Sequence, residues 1–438
     1  MTTTPPVRPR HPATRPGRPG RPRLGELMRV SGGARYAVAL TVDALGSGML
    51  RPFLLLYGIK VLGLGVTETG TAMSVGLLLG LAAVPFFGRW IDRGARTAAV
   101  ACAMLVRVLG IALLLAANGI GGSAVWGFTA AALFLGIGNQ CWPPAHAALV
   151  TTLADDHSRD AALAAGRSLR NAGMGAGALI ATVSMTGGTG ALRTLAAVTA
   201  LGYGIAAALV WSMRVTARGH AQAPSAELSR AGQSRRGRVT ALDIANLPYA
   251  FCFNVLEVAL PAVLVSQLHA SPAWSAGIFV GNTVMVVTTQ IAVVVWMSRF
   301  ARRSALAASG LVLSASYLGF WAAGGIAGQG AAAAVAAVSV LYTAGEIMYT
   351  GSATALIAAT TPSHLLGRAL SRFQVSSGIG LAASPAVLMT LFAWGPGALW
   401  GSLAATTLLA AVVIRRWAPD DQAEAETERH AQGSVRHA

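Results

Sequence analysis

The sequence predicts an all-α polytopic membrane protein with about twelve transmembrane helices, arranged as two six-helix halves. Three observations predict this class: many long apolar segments, few charged residues, and arginines confined to the tails and to alternate connections. Of 438 residues, 54% are hydrophobic and 11% are charged, whereas soluble domains contain about 25% charged residues. Because a span needs roughly 20 apolar residues to cross a ~30 Å hydrocarbon core, this chain has room for twelve spans.

The predicted spans follow one another along the chain and separate into two groups of six. The first group comprises 36–59, 69–90, 98–118, 124–150, 162–186 and 193–213. The second group comprises 241–266, 271–298, 304–326, 330–359, 366–394 and 395–414.

Polar segments flank and divide these groups. Residues 1–35 are rich in proline and arginine and predict a disordered basic tail, and 415–438 form a second polar tail. Residues 214–240 are too polar and too few to fold as a domain and predict a linker. These segments leave an N-terminal half at 36–213 and a C-terminal half at 241–414.

The placement of the arginines predicts the orientation in the membrane. The N-terminal tail and the second, sixth and eighth connections are basic, while the odd-numbered connections carry little beyond Lys60 and Arg193. By the positive-inside rule, both termini are cytoplasmic. The net charge of +17 is therefore interpreted as a topology signal and not as a nucleic-acid site. Since Lys60 is the only lysine, we expect a high-GC bacterial genome and a bacterial inner membrane.

Residues recur between the two halves at a nearly constant separation. The pairs are Arg167 and Arg372, separated by 205 residues, Gly138 and Gly345, by 207, and Pro52 and Pro261, by 209. A parallel repeat of six spans is typical of transporters in which the substrate site lies between the halves near the bilayer midplane.

Ionisable residues within the spans are few. A charge near the bilayer centre costs on the order of 3 kcal/mol on insertion scales, so such residues are expected to face the bundle interior and to find partners. The candidates for proton coupling are Asp43, Glu257 and Glu346. The candidate cations, able to pair with these acids or with an anionic substrate, are Arg51, Arg107 and Arg170. A purely structural alternative is that Asp43 bonds a neighbouring helix or an arginine.

Other polar and aromatic residues within the spans are candidates for contact with a substrate. They are Asn139, Gln140, His146, Tyr249, Asn254 and Tyr342, with Trp142, Phe253, Gln290 and Tyr349 as further candidates. The alternative for each is packing, because buried amides commonly join helices in membranes.

The connection after the second span reads Gly-Arg-Trp-Ile-Asp-Arg-Gly-Ala-Arg over residues 88–96. It resembles the signature loop of the major facilitator superfamily, which has a glycine, three residues and then Asp-Arg. The matching loop in the second half, 298–304, keeps its arginines but has no acid. The resemblance implies the twelve-span fold of that superfamily. The first span, with Asp43, Gly46, Gly48 and Pro52, resembles its proton-coupled drug and metabolite exporters, although the fifth span lacks their Gly-Pro pair.

The same loop has a physical interpretation of its own. A carboxylate such as Asp92 can accept hydrogen bonds from the N-terminal amides of a helix in the other half. We expect a conformational latch formed by Gly88 and Asp92, with Arg93 and Arg96 orienting the carboxylate. The alternative for Arg93 and Arg96 is that they serve only as topology charges.

These observations predict a secondary active transporter that works by alternating access, and the first expectation is proton-coupled export of a small amphipathic drug or metabolite. The alternative is a proton-coupled importer of a sugar, an organic acid or a siderophore-like compound. A non-transporting membrane receptor or scaffold represents a different class. Since the sequence has no phosphate-binding loop and no metal-ligand spacing, we expect no enzymatic activity, no cofactor and no metal. The expected partners are a small molecule, protons and lipid, and the protein is expected to be monomeric.

Overall fold

The structure is a computed structural model that describes residues 33–117, 124–154, 158–184, 188–215, 242–326 and 330–418. A few side chains within these ranges, among them those of Arg51 and Pro52, lie outside the description. Regular secondary structure in the described ranges is entirely helical.

The described residues form twelve long helices. The first six are α1 Gly33–Lys60, α2 Val66–Asp92, α3 Arg96–Ala116, α4 Ala124–Leu153, α5 Arg159–Ser184 and α6 Gly188–Trp211. The second six are α7 Leu242–Gln267, α8 Pro272–Met297, α9 Arg302–Gly324, α10 Gly330–Thr360, α11 Leu366–Ala393 and α12 Pro396–Trp417. The prediction of about twelve helices in two halves is confirmed.

Within the described residues, ten of these helices are long and apolar enough to cross a membrane. The other two helices, α1 and α5, each contain four charged residues. Charged groups are costly next to lipid and are tolerated where they face other helices. These two helices pack directly against each other, so the most polar pair of helices in the bundle is also a contacting pair.

Glycines allow the closest helix approaches in the first half. A Cβ atom added at Gly48 of α1 would lie 2.0 Å from the carbonyl oxygen of Met174 in α5. A Cβ atom at Gly177 of α5 would lie 2.1 Å from the carbonyl oxygen of Leu45 in α1. Since both distances are far below van der Waals contact, any larger residue would force α1 and α5 apart, as is typical of helix packing in lipid.

A pair of repeat-related glycines makes equivalent contacts in the two halves. Gly138 of α4 packs against Ala103 and Arg107 of α3, and Gly345 of α10 packs against Leu313 of α9. The fourth helix of each half therefore meets the third helix of the same half at the same repeat position.

Helix α7 is irregular around its proline. Two π-helical turns, Val255–Ala259 and Val263–Gln267, lie on either side of Pro261. Proline lacks an amide hydrogen and clashes with the preceding turn, and π-helical turns accommodate such a disruption. Glu257 lies in the first of these turns.

The connection from α2 to α3 and the connection from α8 to α9 lie at one end of the bundle, which we call the arginine-rich end. The two halves touch there, where α2 packs against α11 and α5 packs against α8. The arginines that give this end its name are Arg89, Arg93, Arg96, Arg299 and Arg302.

Candidate functional site

A buried ion-pair cluster connects α1, α3 and α5. The Asp43 carboxylate accepts a hydrogen bond from Arg107 Nη1 at 2.6 Å and another from Arg170 Nη1 at 3.0 Å. Asp43 and Arg107 are 0% exposed, and Arg107 also donates to the Gly138 carbonyl oxygen at 3.2 Å. The single carboxylate of Asp43 thus pairs with two guanidinium groups, so these three side chains together carry an excess of positive charge.

An aromatic stack extends this cluster into the space between the halves. The guanidinium carbon of Arg170 lies 4.1 Å from the ring centroid of Trp142, a cation–π distance. The Trp142 and His146 rings stack with centroids 4.6 Å apart, and His146 Nδ1 is hydrogen-bonded to the Tyr36 hydroxyl at 2.5 Å. The imidazole is therefore fixed between two aromatic rings.

A cavity of about 270 Å³ lies between the halves, and we call it the central cavity. Side chains of α4, α5, α7, α8, α10 and α11 line it. Its polar and aromatic lining residues include Gln140, Trp142, His146, Arg167, Arg170, Phe253, Gln290, Tyr349 and Gln374. Gln374 Nε2 of α11 donates to Gln140 Oε1 of α4 at 2.8 Å, so the two halves are joined directly across the cavity.

A carboxyl group lies beside this cavity in α10. Glu346 Oε2 accepts a hydrogen bond from Asn282 Nδ2 of α8 at 2.8 Å, and Asn282 also donates to the Thr343 hydroxyl at 3.1 Å. Glu346 interacts electrostatically with Arg167 and with Glu257. Asn282 and Thr343 line a larger open groove of about 900 Å³ between α8 and α10. The two neighbours of Glu346 thus line different cavities, Arg167 the central cavity and Asn282 the open groove.

The arginine-rich end is closed by contacts between the halves. Asp92 at the end of α2 accepts from the Gly367 amide at 2.6 Å, the Arg368 amide at 3.3 Å and Arg368 Nε at 2.7 Å. Gly88 approaches α11 so closely that an added Cβ atom would lie 2.8 Å from the Gly367 carbonyl oxygen. The carboxylate thus caps the start of α11, where backbone amides are unpaired and the helix dipole favours negative charge.

The two arginines expected to orient Asp92 do not form an ion pair with it among the described residues. Arg93 is exposed, and Arg96 Nη2 donates to the Ser363 carbonyl oxygen at 3.0 Å. Arg368, in the other half, contacts the carboxylate in their place. Arg96 nevertheless joins the halves, because Ser363 precedes α11.

Several other sequence candidates lie away from the central cavity. Asn254 Nδ2 donates to the Leu381 carbonyl oxygen at 2.9 Å and to Ser384 Oγ at 2.6 Å. The Tyr249 hydroxyl donates to the Leu306 carbonyl oxygen at 3.0 Å, and both Tyr249 and Tyr342 are buried in the core of the second half. The described contacts of these three residues are packing contacts within the second half. The reason is that tyrosine and asparagine also join helices within one half.

The remaining candidates are more exposed. Glu257 is exposed, and none of the described residues forms a hydrogen bond or ion pair with it. Asn139 is exposed on α4. The side chain of Arg51 lies outside the described part of the chain.

The sequence candidates did not include Arg167 and Gln374, which line the central cavity, or Asn282, which lines the open groove. Arg167 lies three residues before Arg170, a spacing that places both side chains on one helix face. Asn282 is an amide in the middle of a span without charged residues. Those two signals were present in the sequence, whereas nothing in the spacing of Gln374 distinguishes it from a packing residue.

Two six-helix halves around a polar cavity, closed at one end by contacts between them, define a membrane protein with the architecture of a secondary transporter. The family model described as "Major Facilitator Superfamily" matches residues 36–241 and 242–437. The chain belongs to the Major Facilitator Superfamily. No curated protein sequence matches it significantly.

Solved structures of this superfamily share the fold. A bacterial homologue of the iron transporter ferroportin in an outward-facing state has a TM-score of 0.71 at 15% identity, covering 89% of this chain and 99% of that one. The human organic anion transporter MFSD10 (TETRAN) has a TM-score of 0.66 at 13% identity, covering 89% and 99%. The E. coli fucose:proton symporter FucP has a TM-score of 0.62 at 18% identity, covering 89% and 100%. Identities this low show the fold and not the substrate.

Proposed function

We propose that this chain is a proton-coupled secondary transporter that exports a small amphipathic drug or metabolite by alternating access. The observation that carries the proposal is that Glu346 interacts with Arg167 of the central cavity and accepts a hydrogen bond from Asn282 of the open groove. A carboxylate in a low-dielectric bundle is costly unless it is paired or neutralised by a proton. A carboxyl placed in this way can take up a proton from one side and release it to the other.

A second direction, proton-coupled uptake, is supported by the interaction of Arg167 with Glu346. A proton that neutralises Glu346 would release Arg167 to bind a negatively charged group of a substrate. The proton and such a substrate would then cross together, as in uptake of an organic acid. Export in exchange for protons instead requires that the proton and the substrate exclude each other from the site.

Flux in proteoliposomes tests the proposal and separates the two directions. Radiolabelled or fluorescent amphipathic compounds are added with no gradient and with a proton gradient of either sign. Exchange predicts accumulation of the compound in the acidic compartment, and co-transport predicts accumulation in the less acidic one. Flux that ignores the gradient would refute proton coupling, and protein-independent flux of every compound would support the receptor or scaffold alternative.

We further propose that the arginine-rich end is cytoplasmic, in the inner membrane of a bacterium, and that the protein acts as a monomer. The arginine asymmetry supports the orientation. A single cysteine at Ser31 in a background without Cys102, Cys141 and Cys252 should resist an impermeant thiol reagent in intact cells. Rapid labelling would contradict the orientation.

Asp92 is proposed to latch the arginine-rich end in its closed state. Asp92→Asn should lower turnover about tenfold or more with little change in apparent substrate affinity, because a charged hydrogen-bond acceptor contributes about 1.5–3 kcal/mol and 1.4 kcal/mol shifts an equilibrium tenfold. The measurement is initial flux as a function of substrate concentration, with expression and monodispersity as folding controls.

Arg368→Gln provides the matched control for the latch. The Arg368 side chain is 57% exposed whereas that of Asp92 is 6% exposed, and exposed ion pairs contribute about 0–1 kcal/mol. The backbone amides of α11 should therefore account for most of the effect, and Arg368→Gln should reduce turnover much less than Asp92→Asn. An Asp92→Asn variant with unchanged flux and normal expression would remove the latch from the mechanism.

A further inference from the structure

The charges that line the central cavity are unbalanced. Arg167 and Arg170 line it, and no carboxylate is among its described lining residues. Asp43 pairs with both Arg170 and Arg107, and Glu346 interacts with Arg167 from outside the lining. Among the described residues, three guanidinium groups therefore face two carboxylates around the cavity, and a low-dielectric surrounding strengthens the effect of this positive excess.

Polar atoms that face the cavity lack partners within the described part of the protein. Gln290 is 0% exposed and Trp142 2% exposed, yet Gln290 Nε2, Gln290 Oε1 and Trp142 Nε1 have no hydrogen-bond partner. Arg167 Nη1 is also buried and has no hydrogen-bond partner among the described residues. A buried polar atom left unpaired costs about 1–3 kcal/mol. Water can serve these atoms in an empty cavity, and three of the four are N–H donors that suit an acceptor-rich ligand.

Aromatic rings form part of the cavity lining. The Trp142 ring, stacked between Arg170 and His146, lies on the side of the first half, and Phe253 and Tyr349 lie on the side of the second half. The volume of about 270 Å³ lies just below the roughly 300–1,000 Å³ of typical small-molecule sites. The cavity therefore fits a compact molecule with an aromatic ring.

We propose that the central cavity binds a small planar organic anion, with its acidic group at Arg167 and its ring against the aromatic lining formed by Trp142, Phe253 and Tyr349. This inference deepens the proposed function and rests on it in one respect, since the bound anion is taken to be the transported substrate. Binding itself can be measured without transport.

The test compares three probes of matched shape and different charge on the purified full chain in lipid nanodiscs. The probes are 2-naphthoate, 2-naphthamide and 2-naphthylmethylammonium, and binding is measured by calorimetry. We expect the anion to bind at least tenfold more tightly than the amide and the cation to bind most weakly. Charged hydrogen bonds of about 1.5–3 kcal/mol correspond to about 10- to 150-fold in affinity.

Arg167→Gln should reduce naphthoate affinity about tenfold or more and change naphthamide affinity less than twofold, and Arg167→Lys should recover part of the loss. The matched control is Arg193→Gln, which removes an exposed arginine outside the cavity and should change neither affinity. If Arg167→Gln fails to fold, the relative affinities of the three probes for the unmodified chain still test the anion site.

Equal binding of the probes, preference for the cation, or no binding of any of them would overturn the inference. A different result would refute the proposed function. Anion-selective binding without flux would refute transport and retain the binding site, whereas gradient-driven flux of cations but not anions would retain transport and refute the anion site.

Discussion

Glu346→Gln is expected to abolish proton-driven accumulation of substrate while leaving downhill exchange of substrate largely intact. Glutamine keeps an oxygen that can accept the hydrogen bond from Asn282, so the packing around α8 and α10 should persist. It cannot take up or release a proton, and a bound proton is the only link that the proposal allows between the gradient and the substrate. The measurement is accumulation in proteoliposomes with a proton gradient, compared with exchange of substrate without one.

Glu257→Gln and Glu68→Gln are the comparisons for this variant. Glu257 lies near Glu346 but has no described partner, and Glu68 is an exposed acid that bonds the Gly65 amide at the start of α2. Glu68→Gln should leave coupling unchanged. If Glu346→Gln also abolishes binding, Glu346 belongs to substrate recognition. If it accumulates substrate at the wild-type rate, the coupling assignment is wrong and Glu257 or Asp43 must carry the proton.

The fold was predictable because a membrane restricts it strongly. Apolar length and arginine placement were enough to predict twelve helices in two halves, including α1 and α5, each of which contains four charged residues. The repeat spacing also had a structural counterpart, since Gly138 and Gly345 contact equivalent helices. Apolar length and arginine placement are set by the lipid and water around the protein, and the repeated glycines are set by close backbone contact between helices. Both kinds of pattern can be recognised in a single sequence.

The site was less predictable, for a physical reason. A helix that is apolar all round has no polar face to show which side meets a cavity. Tyr249 and Tyr342 could therefore not be separated from Tyr349, although the first two bond helices of their own half and the third lines the cavity. Arg167 was predicted only as a repeat-related residue and not as a cavity residue. It lies eight residues after Arg159, about 12 Å along α5, which is deep enough to reach the cavity.

Two ion pairs between the halves close the arginine-rich end, and they differ in which side chain comes from the loop between the second and third helices of its half. The loop supplies the acid in one pair and the arginine in the other. In one, the acid Asp92 at the end of α2 meets Arg368 at the start of α11. In the other, Arg302 at the start of α9 meets the acid Asp160 at the start of α5, with Nε and Oδ2 2.9 Å apart. Asp160 precedes Gly367 by 207 residues, which matches the repeat spacing. The connection from α8 to α9 has no acid of its own, and its Arg302 pairs instead with Asp160 at the start of α5.

Asp43→Asn is expected to destabilise the protein by about 3–5 kcal/mol, because removing one member of a fully buried ion pair leaves its partner charged and uncompensated. Here one substitution affects two guanidinium groups, those of Arg107 and Arg170. The variant should unfold several degrees below the wild-type protein in a thermal scan in detergent.

Asp243→Asn is the matched control, since it makes the same chemical change in a half-exposed pair with Arg372 whose Nε and Oδ2 atoms are 3.5 Å apart. Exposed pairs contribute about 0–1 kcal/mol, so Asp243→Asn should leave the melting temperature almost unchanged. Adding Arg107→Met to Asp43→Asn should restore part of the lost stability, because it removes the guanidinium that is buried most deeply. Equal melting temperatures for Asp43→Asn and the wild-type protein would show that the cluster does not hold α1, α3 and α5 together.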